Sequence, residues 1–200
     1  MKIPCDTIAR LSHLLPAPEA EIEESFRCFR LDNGKVIVSN RRFMAIERVG
    51  DFDGVFYIKG DTALIEQCRT EAQWSSVIEF TAVPSLKYTT AITSMGFKIA
   101  ENIGYWPGMP GDFDKWPAIV GQCIDPLTES KGPMVFDSHQ LFALAQAAPS
   151  GAVSLEQCAD PDNRPTVVRD IESADWVGFF LARISDWRQH VGASVPGWCK

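Results

Sequence analysis

The chain has no CxxC pair, no Gly-rich phosphate loop and no GxSxG elbow, and it is short of both histidine and basic residues. Without a P-loop or a GxGxxG turn after a strand, nothing in it is built to cradle a nucleotide. Only His13, His139 and His190 are present, and none lies at ligand spacing from another His or a Cys, so neither a metal nor any other cofactor is expected. The first apolar stretch, Ile8 to Leu15, is broken by Arg10 and His13 and falls far short of the about 20 residues a bilayer helix needs. No signal-peptide pattern precedes it, so a cytoplasmic protein with no membrane contact is expected. Nineteen Lys and Arg against 26 Asp and Glu give a net charge of −7. That balance opposes general attraction to nucleic acid, which needs a cationic surplus facing the phosphates.

Six cysteines, Cys5, Cys28, Cys68, Cys123, Cys158 and Cys199, are spread at wide intervals and read as reduced, mostly buried thiols. A cysteine nucleophile needs an imidazole and an orienting group. Cys5, Cys68 or Cys158 meeting His139 in space would supply a diverged cysteine-dependent enzyme, but no local sequence around them favours it. The expectation is a protein without catalytic residues. The acidic pairs Asp51/Asp53, Asp112/Asp114 and Asp160/Asp162 sit beside Gly or Pro, where Asp bonds its own backbone in turns.

What is present is a recurring order of elements. Apolar residues at 8, 11, 14 and 15 predict a helix from Asp6 to Leu15, with Asp6 or Thr7 as its cap and Pro16 as its end. Phe26–Leu31 and Lys35–Ser39 flank Asp32-Asn33-Gly34, a hairpin signal, and Phe43–Val49 supplies a third strand. The order then repeats. A strand at Val55–Ile58 and a helix at Asp61–Ala72 precede strands at Ser76–Val83, Leu86–Thr93 and Phe97–Ile103. A third copy has a strand at Pro133–Phe136, a helix at Ser138–Ala147, and strands at Val153–Glu156, Pro165–Ile171 and Trp176–Ala182. Such periodic supersecondary units predict an α+β fold with antiparallel sheets.

Tandem helix-plus-three-strand units resemble those of the DNA polymerase sliding clamps. The third unit looks like the closing unit of a bacterial beta clamp. The resemblance is carried by Phe136-Asp-Ser-His-Gln-Leu-Phe-Ala-Leu144, by Asn163-Arg-Pro-Thr-Val-Val168 and by Val177-Gly-Phe-Phe-Leu-Ala-Arg183. It implies a DNA clamp-like fold, diverged and of phage or mobile-element type. A two-unit clamp-like domain would span residues 1–118, and a shorter clamp-like unit with a C-terminal tail would span 119–200. Two units make a clamp domain, so three make one and a half, and closure of a ring is in doubt.

The resemblance also implies surfaces. Val177, Phe179, Leu181, Arg183, Ile184 and Trp187 take the place of the clamp groove that receives partner peptides. The alternative is that these residues alternate into the core beneath the tail. The loop from Tyr105 to Trp116 adds Trp106 and Trp116, either as exposed protein-binding anchors or as a plug between units. Arg10 and Arg69 on the helices, with Arg41 and Arg42 on a turn, are the candidate nucleic-acid contacts. The expected partners are proteins and a second copy of the chain in a homo-oligomer, with DNA less well supported. The leading expectation is a non-enzymatic binding protein acting through protein–protein interaction in DNA replication or phage biology. An acidic phage-type inhibitor or DNA-mimic decoy of a nucleic-acid-binding defence protein is the alternative.

Overall fold

The computed structural model describes residues 1–17, 19–40, 42–82, 88–93, 98–107, 115–122, 138–156 and 165–180. The first unit comprises β1 (Lys2–Pro4), α1 (Cys5–Leu11), β2 (Cys28–Asp32), β3 (Lys35–Ser39) and β4 (Phe43–Arg48). The second comprises β5 (Val55–Lys59), α2 (Thr62–Ala72), β6 (Val77–Ala82), β7 (Tyr88–Thr93) and β8 (Lys98–Pro107). A short helix, α3 (Trp116–Gln122), follows, and then α4 (Ser138–Ala147), β9 (Val153–Glu156), β10 (Thr166–Asp170) and β11 (Trp176–Phe180) form the third. The strand expected at Pro133–Phe136 lies outside the described residues.

Local chemistry explains most of these bounds. Asn33 and Gly34, with φ of 45° and 79°, make the two-residue turn between β2 and β3, a conformation that Asn-Gly adopts at little cost. Asp61 caps α2 by accepting from the Ala63 and Leu64 amides at 2.9 and 3.4 Å. The first helix departs from expectation. Its N-terminal flank is Pro4, no side chain caps it, and α-helix gives way to a 3-10 turn at Ser12–Leu14. Asp6 instead pairs with Arg10 one turn on, and Thr7 points into the core. The loop expected from Gly104 begins later, because β8 continues to Pro107 by pairing with β5.

The described strands join one antiparallel sheet in the order β1-β6-β7-β8-β5-β2-β3-β4-β11-β10-β9. The first two units exchange strands, since β1 pairs with β6 and β5 pairs with β2. The third joins the first through β4 and β11, in register from Trp176↔Glu47 to Phe180↔Phe43. Side chains alternate between two apolar layers. One, under α1, α2 and α4, holds Phe29, Leu31, Ile58, Phe80, Trp176 and Phe180. The other holds Cys28, Ile37, Met44, Ile46, Tyr57, Val167 and Phe179, with α3 against it through Trp116, Ile119 and Val120. Burial on both faces explains why all of β2 is buried, Arg30 and Asp32 included.

Two positions in the third unit follow from this packing. At Gly178 a Cβ would stand 2.8 Å from the Trp176 ring and 2.9 Å from Leu144 of α4, so only glycine lets the helix sit this close. Gly178→Ala should destabilise the chain by about 1–3 kcal/mol in urea unfolding. Asp170 ends β10 by accepting from the amides of Ser150, Glu172 and Ser173 at 2.7 to 2.8 Å and from the Ser150 hydroxyl. Burial pushes its pKa up, but these four donors outweigh burial and hold it below the usual carboxylate value. A carboxylate whose pKa is depressed on folding stabilises above its unfolded value, about 3.9, and that contribution is lost as pH falls through the folded value. Asp170→Asn should therefore cost about 1–3 kcal/mol at neutral pH, and the gap from the parent should narrow as pH drops below about 4.

Candidate partner-binding surfaces

The residues expected to bind partners are distributed unevenly by the fold. Val177 and Phe179 of β11 face the second apolar layer, Val177 beside Ile46 and Phe179 between Met44 and Val167 in the ladder. Phe179 is buried and Val177 half-buried. Trp116 reaches the same layer from α3. Three of the expected anchors are thus brought to one face, beneath or within the α3 contact. Trp106 lies on β8 with its backbone opposite Tyr57. Leu181, Arg183, Ile184 and Trp187 lie outside the described residues.

A buried polar cluster, not foreseen from the sequence, anchors α3. Asp32 Oδ2 accepts from Arg30 Nε and Nη2 at 3.2 and 3.0 Å and from Trp116 Nε1 at 3.0 Å. Arg30 Nη1 donates to the Tyr57 hydroxyl, and its guanidinium stands 5.4 Å from the Tyr57 ring centre. Arg30, Asp32 and Tyr57 share a face because Arg30 is opposite Tyr57 and two residues from Asp32. The signal for α3 was present: Trp116, Ile119 and Val120 have helical spacing, and Pro117 suits a first turn.

The expected nucleic-acid contacts behave differently. Arg10 Nε donates to Asp6 at 2.6 Å, Nη1 to the Ala147 carbonyl at 2.6 Å and Nη2 to Glu47 Oε1 at 2.8 Å. It therefore ties α1 to β4 and to the end of α4. Burial alone would lower its pKa, but Glu47 and Asp6 raise it. Glu47 Oε1 also accepts from Thr7 Oγ1 at 2.8 Å, whereas its Oε2 is buried without a hydrogen-bond partner. Arg69 is exposed on α2, bonded to Glu66 at 2.7 Å and to Ser12 Oγ at 3.2 Å. Arg42 is exposed on the β3–β4 turn, where its amide donates to Asn40 Oδ1, and Arg41 is outside the described residues. At the other end of β4, Arg48 pairs with Asp175 across the β4–β11 seam.

The described thiols have protein partners of their own. Cys5 on α1 and Cys68 on α2 are both buried and influence each other, which pulls Cys5 down and pushes Cys68 up. Cys28 donates to the Glu24 carbonyl at 3.3 Å, and burial pushes it up to about 12. A thiol held protonated in this way is a poor nucleophile at neutral pH. Cys123, Cys158 and Cys199 lie outside the described residues. Among the described residues no group of three His, Cys, Asp or Glu side chains converges as a metal site, and no helix is long and apolar enough to cross a membrane.

Arg10→Met removes the guanidinium but leaves Glu47 charged and buried. It should cost about 3–5 kcal/mol in urea unfolding, with much of the loss recovered when Glu47→Gln is added.

No protein-family description matches the chain, and no curated protein is similar to it in sequence. Its backbone, however, is similar to solved sliding clamps. A DNA polymerase sliding clamp from Pseudomonas aeruginosa matches with a TM-score of 0.61 at 9% identity, over 92% of this chain and 66% of the clamp. A putative DNA polymerase III beta subunit from Eubacterium rectale matches at 0.57 and 11% identity, over 97% of this chain and 69% of its own. The DNA polymerase III beta subunit of Thermotoga maritima matches at 0.55 and 9%, over 96% and 68%. The chain spans about two thirds of the length of these clamps. At such identities the likeness is one of backbone, and what it establishes is the fold: this is a diverged α+β chain with the architecture of the DNA polymerase sliding clamps.

Proposed function

We propose that the chain is a non-enzymatic binding protein that uses a sliding-clamp-like scaffold for protein–protein interaction, in DNA replication or phage biology, and works as a homo-oligomer. The observation that carries this reading is the clamp architecture itself, an antiparallel sheet backed by tandem helix units. The protein-binding region is the outer side of α3, which is seated on the layer formed by Val177, Phe179 and Trp116.

Electrostatics favours a protein over DNA as the main ligand. Arg10 is engaged by two carboxylates and a carbonyl. Arg69 is matched by Glu66, and α4 carries no Lys or Arg. The helix faces thus bring little cationic surplus to a phosphate backbone. The net charge of −7 also favours a second reading, an acidic inhibitor or DNA-mimic decoy of a nucleic-acid-binding defence protein.

Affinity purification from the native host, coupled to light scattering, tests both readings. A replication protein retained by the parent and lost with Val177→Asp supports the first, whereas capture of a defence nuclease supports the second. Fluorescence anisotropy with labelled duplex DNA should show no steep salt dependence. A log–log slope of several units, as about 6–10 phosphate contacts would give, would count against the decoy and make DNA a main ligand of the clamp-like scaffold.

A further inference from the structure

Two buried polar atoms at the seam between the first and third units have no hydrogen-bond partner: Oε2 of Glu47 on β4 and Nε1 of Trp176 on β11. Their residues are 8% and 1% exposed. Glu47 and Trp176 stand directly opposite each other in the antiparallel β4–β11 ladder. Side chains at opposite positions of such a ladder share a face, with their Cβ atoms about 4.5–5.5 Å apart. That face is the one under the helices. Thr7 Oγ1 and Arg10 Nη2 of α1 both reach the other carboxylate oxygen, Oε1, at 2.8 Å. The Trp176 ring packs in the layer under α1, α2 and α4, with Leu144 against the same glycine, Gly178. Arg10 Nη1 bonds the carbonyl of Ala147, in the turn of α4 that follows Leu144. Carboxylate and indole therefore both lie beneath the end of that helix.

We propose that a single buried water molecule bridges Trp176 Nε1 and Glu47 Oε2, fastening β11 of the third unit to β4 of the first. The chemistry of the two atoms selects this ligand. An indole N–H only donates and a carboxylate oxygen only accepts, so the bridging group must accept from one and donate to the other. An anion would face the Glu47 carboxylate. A cation would face the indole N–H and the Arg10 guanidinium, which stands 2.8 Å from Oε1. An apolar group would leave both atoms unmet, at the desolvation cost of each. Water is neutral and carries both functions, and buried waters make about two to four bonds to polar groups of this kind. With the bridge in place both carboxylate oxygens of Glu47 are used, Oε1 by Thr7 and Arg10 and Oε2 by the water. One side chain then joins α1 and β4 to β11 and, through Arg10, to the end of α4. Being internal, the site is independent of the partner that the chain binds.

A crystal structure of the full chain that resolves ordered water tests the proposal, together with water-selective NOE and ROE spectra of the isotope-labelled protein. Trp176→Phe identifies the Trp176 indole resonance, with thermal unfolding as a check that the variant folds. The expected result is one water within hydrogen-bonding distance of both atoms. A cross-peak should join water to the Trp176 Nε1 proton, with the sign of a water held longer than the rotation of the protein, and it should be lost in Trp176→Phe. A direct bond from Nε1 to Oε2, a side chain from elsewhere in the chain in the position of the water, or no water shared by the two atoms would overturn the proposal. The crystal structure of the parent decides the matter even where the variant fails to fold.

Discussion

The pairing of strands between units is the constraint on which the rest of the molecule depends. A helix of 7 or 11 residues, such as α1 or α2, is marginal alone, and a three-stranded ladder leaves a polar edge unpaired. Giving β1 to β6 and β5 to β2 meets both needs at once, because it closes each edge and brings α1 against α2. The exchange also sets which residues become core. Phe29 and Phe80 are buried to the same degree because each lies under a helix seam and beside a strand contributed by the other unit.

The third unit is held by a different device. It extends the sheet through β4 and β11, and its helix packs on the first unit instead of on a partner helix of its own pair. Two sets of polar groups mark the attachment. Arg10 joins α1, β4 and the last residue of α4, and Arg48 pairs with Asp175 across the strand seam. Glu47 is buried and Arg10 is its one ionic partner among the described residues, so loss of Arg10 would strand the carboxylate.

The opposite face of the sheet is organised around Asp32. Its carboxylate receives both Arg30 and the indole of Trp116, so α3 is fixed by a hydrogen bond as well as by its apolar contacts. The indole is therefore anchored at its polar end and packed along its ring, an arrangement that suits a rigid recognition element. The face that carries Val177 and Phe179 is in consequence shaped by α3.

Much of this architecture was legible along the chain. The bounds of α4 and β9, the Asp61 cap of α2 and the Asn33-Gly34 turn follow from local pattern, because each is decided by side-chain spacing or by a backbone conformation that few residues adopt. The succession of helix and strands, and hence the α+β class and clamp-like unit, was determined at that level. Four features were not: β1, the extension of β8 to Pro107, the Arg10–Glu47 contact and the Arg30–Asp32–Trp116 cluster. β1 is three residues that become a strand only by lying beside β6, and β8 runs on only because β5 accepts it. The two polar clusters join residues 37 and 84 positions apart, respectively, so no local signal reports them. The sequence by itself determined most of the helices and strands, since those choices rest on neighbours a few residues away. Only the tertiary structure decided which strands pair and which charges are engaged, because those outcomes depend on groups that meet only after the chain has folded.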